Sequence, residues 1–188
     1  ALALVFGLLN GLLVAFANLP ALFVALATGL ALCGASVGIL KYDILYWNEK
    51  LDSILWIGRS QIMGLSTPLV LLAILLVLCT IFLRFSRLGR FIYAMGDNPE
   101  GAQAIGIPTK RITILIYILS ALVAFVTGVI MTALLGAATT RVNDSPLMYD
   151  VILVIVLGGI GLSGGRGSML SVLLGTLLVA VLSNAMTL

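Results

Sequence analysis

Ile112 to Thr140 reads ITILIYILSALVAFVTGVIMTALLGAATT, a run without one charged residue, preceded by Lys110-Arg111 and followed by Arg141. A helix needs ~20 mostly apolar residues to cross a hydrocarbon core about 30 Å thick. In that core every backbone N–H and C=O must be satisfied within the element, so such a run is predicted to be helical. The same reading extends outward to Ala1–Leu40, Ser60–Leu83 and Gly167–Leu188, which also lack any charge. The whole chain is 62% hydrophobic and 9% charged, whereas soluble domains carry about 25% charged residues. The expected fold class is therefore all-α, a polytopic transmembrane helical bundle.

The runs divide at local signals. Asn18-Leu19-Pro20 interrupts the first, giving a helix over Ala1–Ala17 and a second opened by Pro20 and reaching Leu40. Gly29, Gly34 and Gly38 keep that second helix small on its surface, which suits close packing against a neighbour. A third helix is expected over Pro68–Leu83, a fourth over Ile112–Gly136 and a last over Ser168–Leu188. The apolar segment Val151–Gly165 would reach only about 22 Å, too short to cross upright. Gly158, Gly159 and Gly161 weaken it as a helix. Gly164, Gly165 and Gly167 permit a tight turn after it. The segment is read as a short broken or re-entrant element, a form tolerated where backbone lines a cavity or is buried in protein.

The loops set an orientation. Arg84–Arg111 holds five basic residues against Asp97 and Glu100, so it is expected in the cytoplasm. Lys41–Thr67 balances its charges, and Thr139–Asp150 is slightly acidic; both are placed outside. Tyr42, Tyr46, Trp47 and Trp56 suit a membrane–water interface. The chain starts without Met and starts and stops within apolar runs, which suggests a fragment of a longer membrane protein. It is read as one partial transmembrane domain, residues 1–188, with residues 84–111 as a cytoplasmic loop inside it.

That loop carries the densest local signals. Asn98 can accept a hydrogen bond from an early backbone N–H, as helix N-caps do. Pro99 suits the first helical position, and Glu100 sits where the helix dipole favours negative charge. Gly106 can end the helix in a left-handed turn, and Pro108 prevents continuation. A helix of about two turns is marginal alone in water. It is either a connector packed on its own subunit or an element held by a docked polypeptide.

Three stretches together resemble the permease subunits of the ribose, xylose and galactose class of ABC importers. They are Leu9-Asn10-Gly11-Leu12-Leu13-Val14 with Pro20 after it, Gly89-Arg90 … Tyr93-Ala94-Met95-Gly96-Asp97-Asn98 … Ala102 … Ala104-Ile105-Gly106-Ile107, and Leu157-Gly158-Gly159-Ile160-Gly161-Leu162-Ser163-Gly164-Gly165-Arg166-Gly167-Ser168 followed by Leu174-Gly175-Thr176. Asp97 and Gln103 depart from the usual pattern, which has small residues there. The resemblance implies a short cytoplasmic helix that enters a groove on an ATP-hydrolysing ABC subunit. The matching residues are Gly96, Asn98, Ala102, Ala104, Gly106 and Ile107, with Pro99 and Glu100 in the same capped element. It also implies a second permease subunit, identical or related, an extracytoplasmic solute-binding protein, a sugar-like solute and a bacterial inner-membrane location.

Other chemistries lack their residues. There is no Gly-x-x-x-x-Gly-Lys-Ser/Thr phosphate loop, so ATP would be bound by the partner subunit and no cofactor is expected here. Leu162-Ser163-Gly164-Gly165-Arg166 imitates an ABC ATPase signature by coincidence. With no histidine and only Cys33 and Cys79, neither a metal site nor a Ser–His nucleophile is expected. No basic–aromatic face suggests nucleic acid. Asn10, Thr28, Ser120, Thr127, Thr132, Ser183 and Asn184 are polar groups within apolar helices. Asn10 and Asn184, whose amides are hard to satisfy locally, are the candidate solute-path residues, with Gly158 and Gly159. An ion-coupled carrier and a purely structural membrane subunit stay open as alternatives.

Overall fold

The computed structural model describes residues 2–17, 19–40, 44–46, 61–62, 64–139, 147–161 and 167–186. The described helices are α1 (Leu2–Ala17), α2 (Ala21–Leu40), α3 (Thr67–Phe85), α4 (Arg87–Asp97), α5 (Pro99–Ala104), α6 (Thr109–Leu135), α7 (Leu147–Leu157) and α8 (Met169–Met186). Of these, α2, α3, α6 and α8 are long and apolar enough to cross a membrane, and α1 is a shorter apolar helix. Few side chains are buried, and leucines, valines and phenylalanines crowd the outer surfaces of these helices. A helix that is apolar all round belongs in lipid or against other membrane segments.

The helix boundaries follow the expected ones closely. α2 begins one residue after Pro20, whose carbonyl accepts from Val24 N–H at 3.3 Å. α6 starts at Thr109, one turn before the charge-free run, so Lys110 and Arg111 are helical. Two features are additions. Arg87–Asp97, read as loop from its charges, is the helix α4. Short strands also form: β1 (Ile44–Tyr46), β2 (Gln61–Ile62), β3 (Leu65–Ser66) and β4 (Ala137–Thr139). β2 pairs locally with β3.

The chain forms two compact units. The first comprises residues 1–77 and 113–142, the second 78–112 and 143–188. In the first unit α1 lies against α6 along a glycine seam. A Cβ built on Gly7 would stand 2.7 Å from Ala121 Cβ, and one on Gly11 would stand 2.8 Å from Ile114 Cα. In the same unit β1 and β4 pair antiparallel, with Leu45 opposite Ala138. Ile44 in the stretch Lys41–Thr67 thereby stands opposite Thr139 at the start of Thr139–Asp150.

In the second unit α7 packs on α8 through glycines. A Cβ on Gly175 would lie 2.6 Å from the Val154 carbonyl oxygen, and one on Gly158 would lie 2.8 Å from the Ser171 carbonyl oxygen. α7 has 11 residues and rises only about 16 Å, so it is a half-length element. It ends where Gly159 adopts φ +68°, a left-handed conformation that costs glycine little. Leu162 to Arg166, including Gly164 and Gly165, lie outside the described residues, as do Tyr42, Trp47 and Trp56.

Candidate functional site

The polar stretch between α3 and α6 is a chain of short, capped elements. Ser86 N–H donates to Phe82 O at 3.0 Å, closing α3. The Ser86 side chain then accepts from Gly89 N–H at 2.9 Å, capping α4. Gly89 is buried at the corner, where any Cβ would overlap the Leu83 carbonyl. Leu88, Ile92 and Met95 recur at i, i+4 and i+7 and are part-buried, while Arg87, Arg90 and Asp97 are exposed. Phe91 and Tyr93 flank the exposed basic face. α4 is thus amphipathic, with its apolar stripe inward.

Asn98 serves two helices. Its backbone N–H donates to Ala94 O at 3.2 Å, ending α4. Its side-chain oxygen accepts from Gly101 N–H at 2.9 Å, starting α5. Pro99 holds the first position of α5, and Glu100 lies in its first turn. After Ala104 the chain turns through Gly106, at φ +85°. Gly106 N–H donates to Gln103 O and Ile107 N–H to Ala102 O, each at 3.1 Å. Ile112 N–H then reaches Pro108 O at 3.2 Å, opening α6.

The residues expected in this element fall into two groups. Ala102, 3% exposed, and Ile107, 9% exposed, are buried within this chain, and Gly96 is part-buried. Asn98, Pro99, Glu100, Ala104 and Gly106 are open. Beside them Ile105, not singled out from sequence, is 76% exposed. Its signal was weak because burial in a six-residue helix cannot be read from periodicity. The open surface of this capped element is therefore acidic at Asp97, which ends α4, and at Glu100 in α5, with one large apolar side chain, Ile105, just after α5.

The solute-path candidates lie in separate units. Asn10 belongs to the first unit, on the α1 stripe that includes Gly7 and Gly11. Its Oδ1 is buried and accepts no hydrogen bond. Gly158, Gly159 and Asn184 belong to the second unit, where Gly158 abuts Gly175; Asn184 is exposed on α8. The hydroxyls of Thr28, Thr127 and Thr132 donate to Val24, Val123 and Gly128 carbonyls of their own helices at 2.9, 2.9 and 2.6 Å. Such bonds satisfy Ser and Thr without any ligand. Among the described residues no cluster of potential metal ligands occurs.

Residues 1–188 match the family described as branched-chain amino acid transport system / permease component. The chain belongs to that permease family. It is 30% identical over 190 residues to the ribose import permease protein RbsC of Escherichia coli (strain K12), covering 100% of this chain and 59% of that protein. It is 32% identical over 173 residues to the galactofuranose transporter permease protein YtfT of the same strain, covering 92% and 50%. It is 38% identical over 141 residues to "Probable ABC transporter permease protein YphD" of that strain, covering 75% and 41%. The chain thus spans about half the length of the curated relatives it matches. No solved structure matches. Members of this family are transport subunits rather than enzymes, and the permease is a multi-pass protein of the bacterial inner membrane.

Proposed function

We propose that this permease segment is the translocating part of an ABC importer that carries a monosaccharide or similar small polar solute inward. In this reading the energy comes from ATP bound and hydrolysed by a partner subunit. The single observation that carries the reading is α5: six residues, capped at both ends, hydrogen-bonded into α4 on one side and joined by a short turn to α6 on the other. An isolated helix of that length has little stability. Buried Ala102 within it and buried Ile107 just after it fasten it to this chain, and its open face is free for a partner.

In this reading residues 84–111 form the cytoplasmic coupling loop of a single permease domain, residues 1–188. Asp97, Glu100, Ala104, Ile105 and Gly106 meet the ATPase. Ala102 and Ile107 transmit its movement inward, because a buried side chain cannot move without its packing neighbours. Asn10, Asn184, Gly158 and Gly159 are proposed for the solute path. The names of the ribose and galactofuranose relatives support a sugar-like solute. The remaining partners are a second permease subunit and an extracytoplasmic solute-binding protein.

The test uses the full-length permease purified with its ATPase. Ile105→Ser removes the exposed apolar group at a site where folding has little at stake. Burying an isoleucine at an interface is worth about 1.5–3 kcal/mol, so association should weaken roughly ten- to hundredfold. Gly106→Leu adds a strained turn at the same place. Solute-stimulated ATP hydrolysis that stays at the parent level in both variants refutes the coupling role.

A further inference from the structure

Where α5 passes into α6 the second unit has a shallow cavity of about 230 Å³ that opens broadly to the surface, lined by Gln103, Ile107, Pro108, Thr109, Lys110 and Arg111. Its wall is mostly apolar, while Gln103, Lys110 and Arg111 are exposed at its edge. We propose that this cavity binds the phosphate-bearing headgroup region of an anionic phospholipid. The inference does not depend on whether α5 docks an ATPase.

Three observations lead there. The first is depth: directly after Arg111 the helix α6 becomes continuously apolar and long enough to span a membrane, so its first turn lies at the level of headgroups. The second is charge. Besides Lys110 and Arg111, this polar stretch carries Arg84 in the last turn of α3 and exposed Arg87 and Arg90 on α4, against Asp97 and Glu100 alone. Basic residues beside membrane helices attract anionic lipids. The third is the wall. A free inorganic anion gains nothing from Ile107 and Pro108, whereas a phospholipid places its glycerol and first methylenes against apolar surface while its phosphate meets cations. An amphipathic anion fits both parts of the cavity.

A bound lipid would bridge Gln103 of α5 and Lys110 and Arg111 of α6. It would thus brace the short helix against the membrane-spanning one, and anionic lipid would stiffen the link between them.

Native mass spectrometry of the delipidated full-length polypeptide, titrated with phosphatidylglycerol or phosphatidylcholine, reads this out. Two cations at a membrane surface supply a preference for the anionic lipid of about thirtyfold. Lys110→Gln with Arg111→Gln should remove most of it, while Arg84→Gln, Arg87→Gln and Arg90→Gln together leave most of it. Thermal unfolding in phosphatidylcholine alone confirms that both variants fold. Equal loss in the two variants would mean a diffuse basic surface and overturn the site. So would the absence of phosphatidylglycerol preference in the parent. Competition by inorganic phosphate that abolishes lipid binding would identify a free-anion site instead. A defect of the Lys110/Arg111 variant in ATPase association, with unchanged lipid preference, would assign the cavity to the protein partner.

Discussion

The α7–α8 seam makes a quantitative claim about Gly175. A Cβ at this position stands 2.6 Å from the Val154 carbonyl oxygen and 3.2 and 3.3 Å from Gly158 N and Cα. Ordinary van der Waals contact begins near 3.4 Å, so the added methyl intrudes by about 0.8 Å on a steeply repulsive wall. All three obstacles are backbone atoms, so no side chain can swing aside. Overpacking of this kind costs ~1–3 kcal/mol. Alanine recovers up to ~1 kcal/mol of that through its higher helix propensity. An overlap of about 0.8 Å against rigid backbone puts the cost near the top of that range, so Gly175→Ala should lose about 2 kcal/mol, a factor of roughly 30 in the folded-to-unfolded ratio.

The assay is reversible denaturation of the full-length permease in mixed micelles, followed by circular dichroism. Gly128→Ala is the internal reference, because a Cβ there meets nothing within 4 Å and only the propensity gain remains. The two substitutions should move stability in opposite directions. If they shift it equally, close backbone approach is not what Gly175 provides, and α7 does not lie on α8 as described. Gly158→Ala should resemble Gly175→Ala, and the double variant should cost less than both added together, since one separation of the helices relieves both clashes.

Asn98→Ala should cost about 1 kcal/mol and speed hydrogen exchange at the Gly101 amide, with Asn98→Asp restoring protection. Ser86→Ala should do the same at the Gly89 amide, for the same reason and by a similar amount. Gly106→Ala places a side chain at φ +85° and should destabilise the turn by roughly 1–2 kcal/mol, visible as faster exchange at Ile107. Asn10→Leu removes a buried acceptor that has no donor. It should stabilise the permease by about 1–3 kcal/mol in denaturation while lowering solute uptake; unchanged uptake would place Asn10 outside the solute path.

Much of this fold is legible in the sequence because the bilayer imposes a one-dimensional rule. Long runs without charge favour helices, and α2, α3, α6 and α8 lie largely within such runs, although β2, β3 and β4 occupy the ends of two of them. α5 is legible for a different reason: Asn98, Pro99 and Gly106 act within a few residues of themselves. The remainder depends on distant partners. β1 pairs with β4 across four described helices of intervening chain, and no local pattern announces a three-residue strand. α4 hides behind its arginines, although Leu88, Ile92 and Met95 do keep helical spacing. The inward turn of Ala102 and the exposure of Ile105 are facts of packing, as is the burial of the Asn10 oxygen between α1 and its surroundings.

The geometry of Asn98 bears directly on how force could pass along the proposed coupling loop. One residue closes α4 through its backbone and opens α5 through its side chain, so the two helices meet without a free linker. At the other end of α4, Ser86 plays a similar part toward α3, and Gly89 lets the corner close on Leu83. Backbone hydrogen bonds from Ile107 and Ile112 continue the connection into α6. In this reading a push on α5 meets hydrogen-bonded junctions at both ends, so it tilts α4 and α6 or breaks a cap. Each cap is worth only about 1 kcal/mol. Lengthening the joint should therefore uncouple the helices while leaving each of them folded. Two glycines inserted after Asp97 would break the Asn98–Ala94 bond and keep the Asn98–Gly101 bond. Basal ATP hydrolysis by the assembled transporter should survive this change and its stimulation by solute should not. If stimulation survives as well, α4 carries no force and the path to the membrane runs through Ile107 and α6 alone.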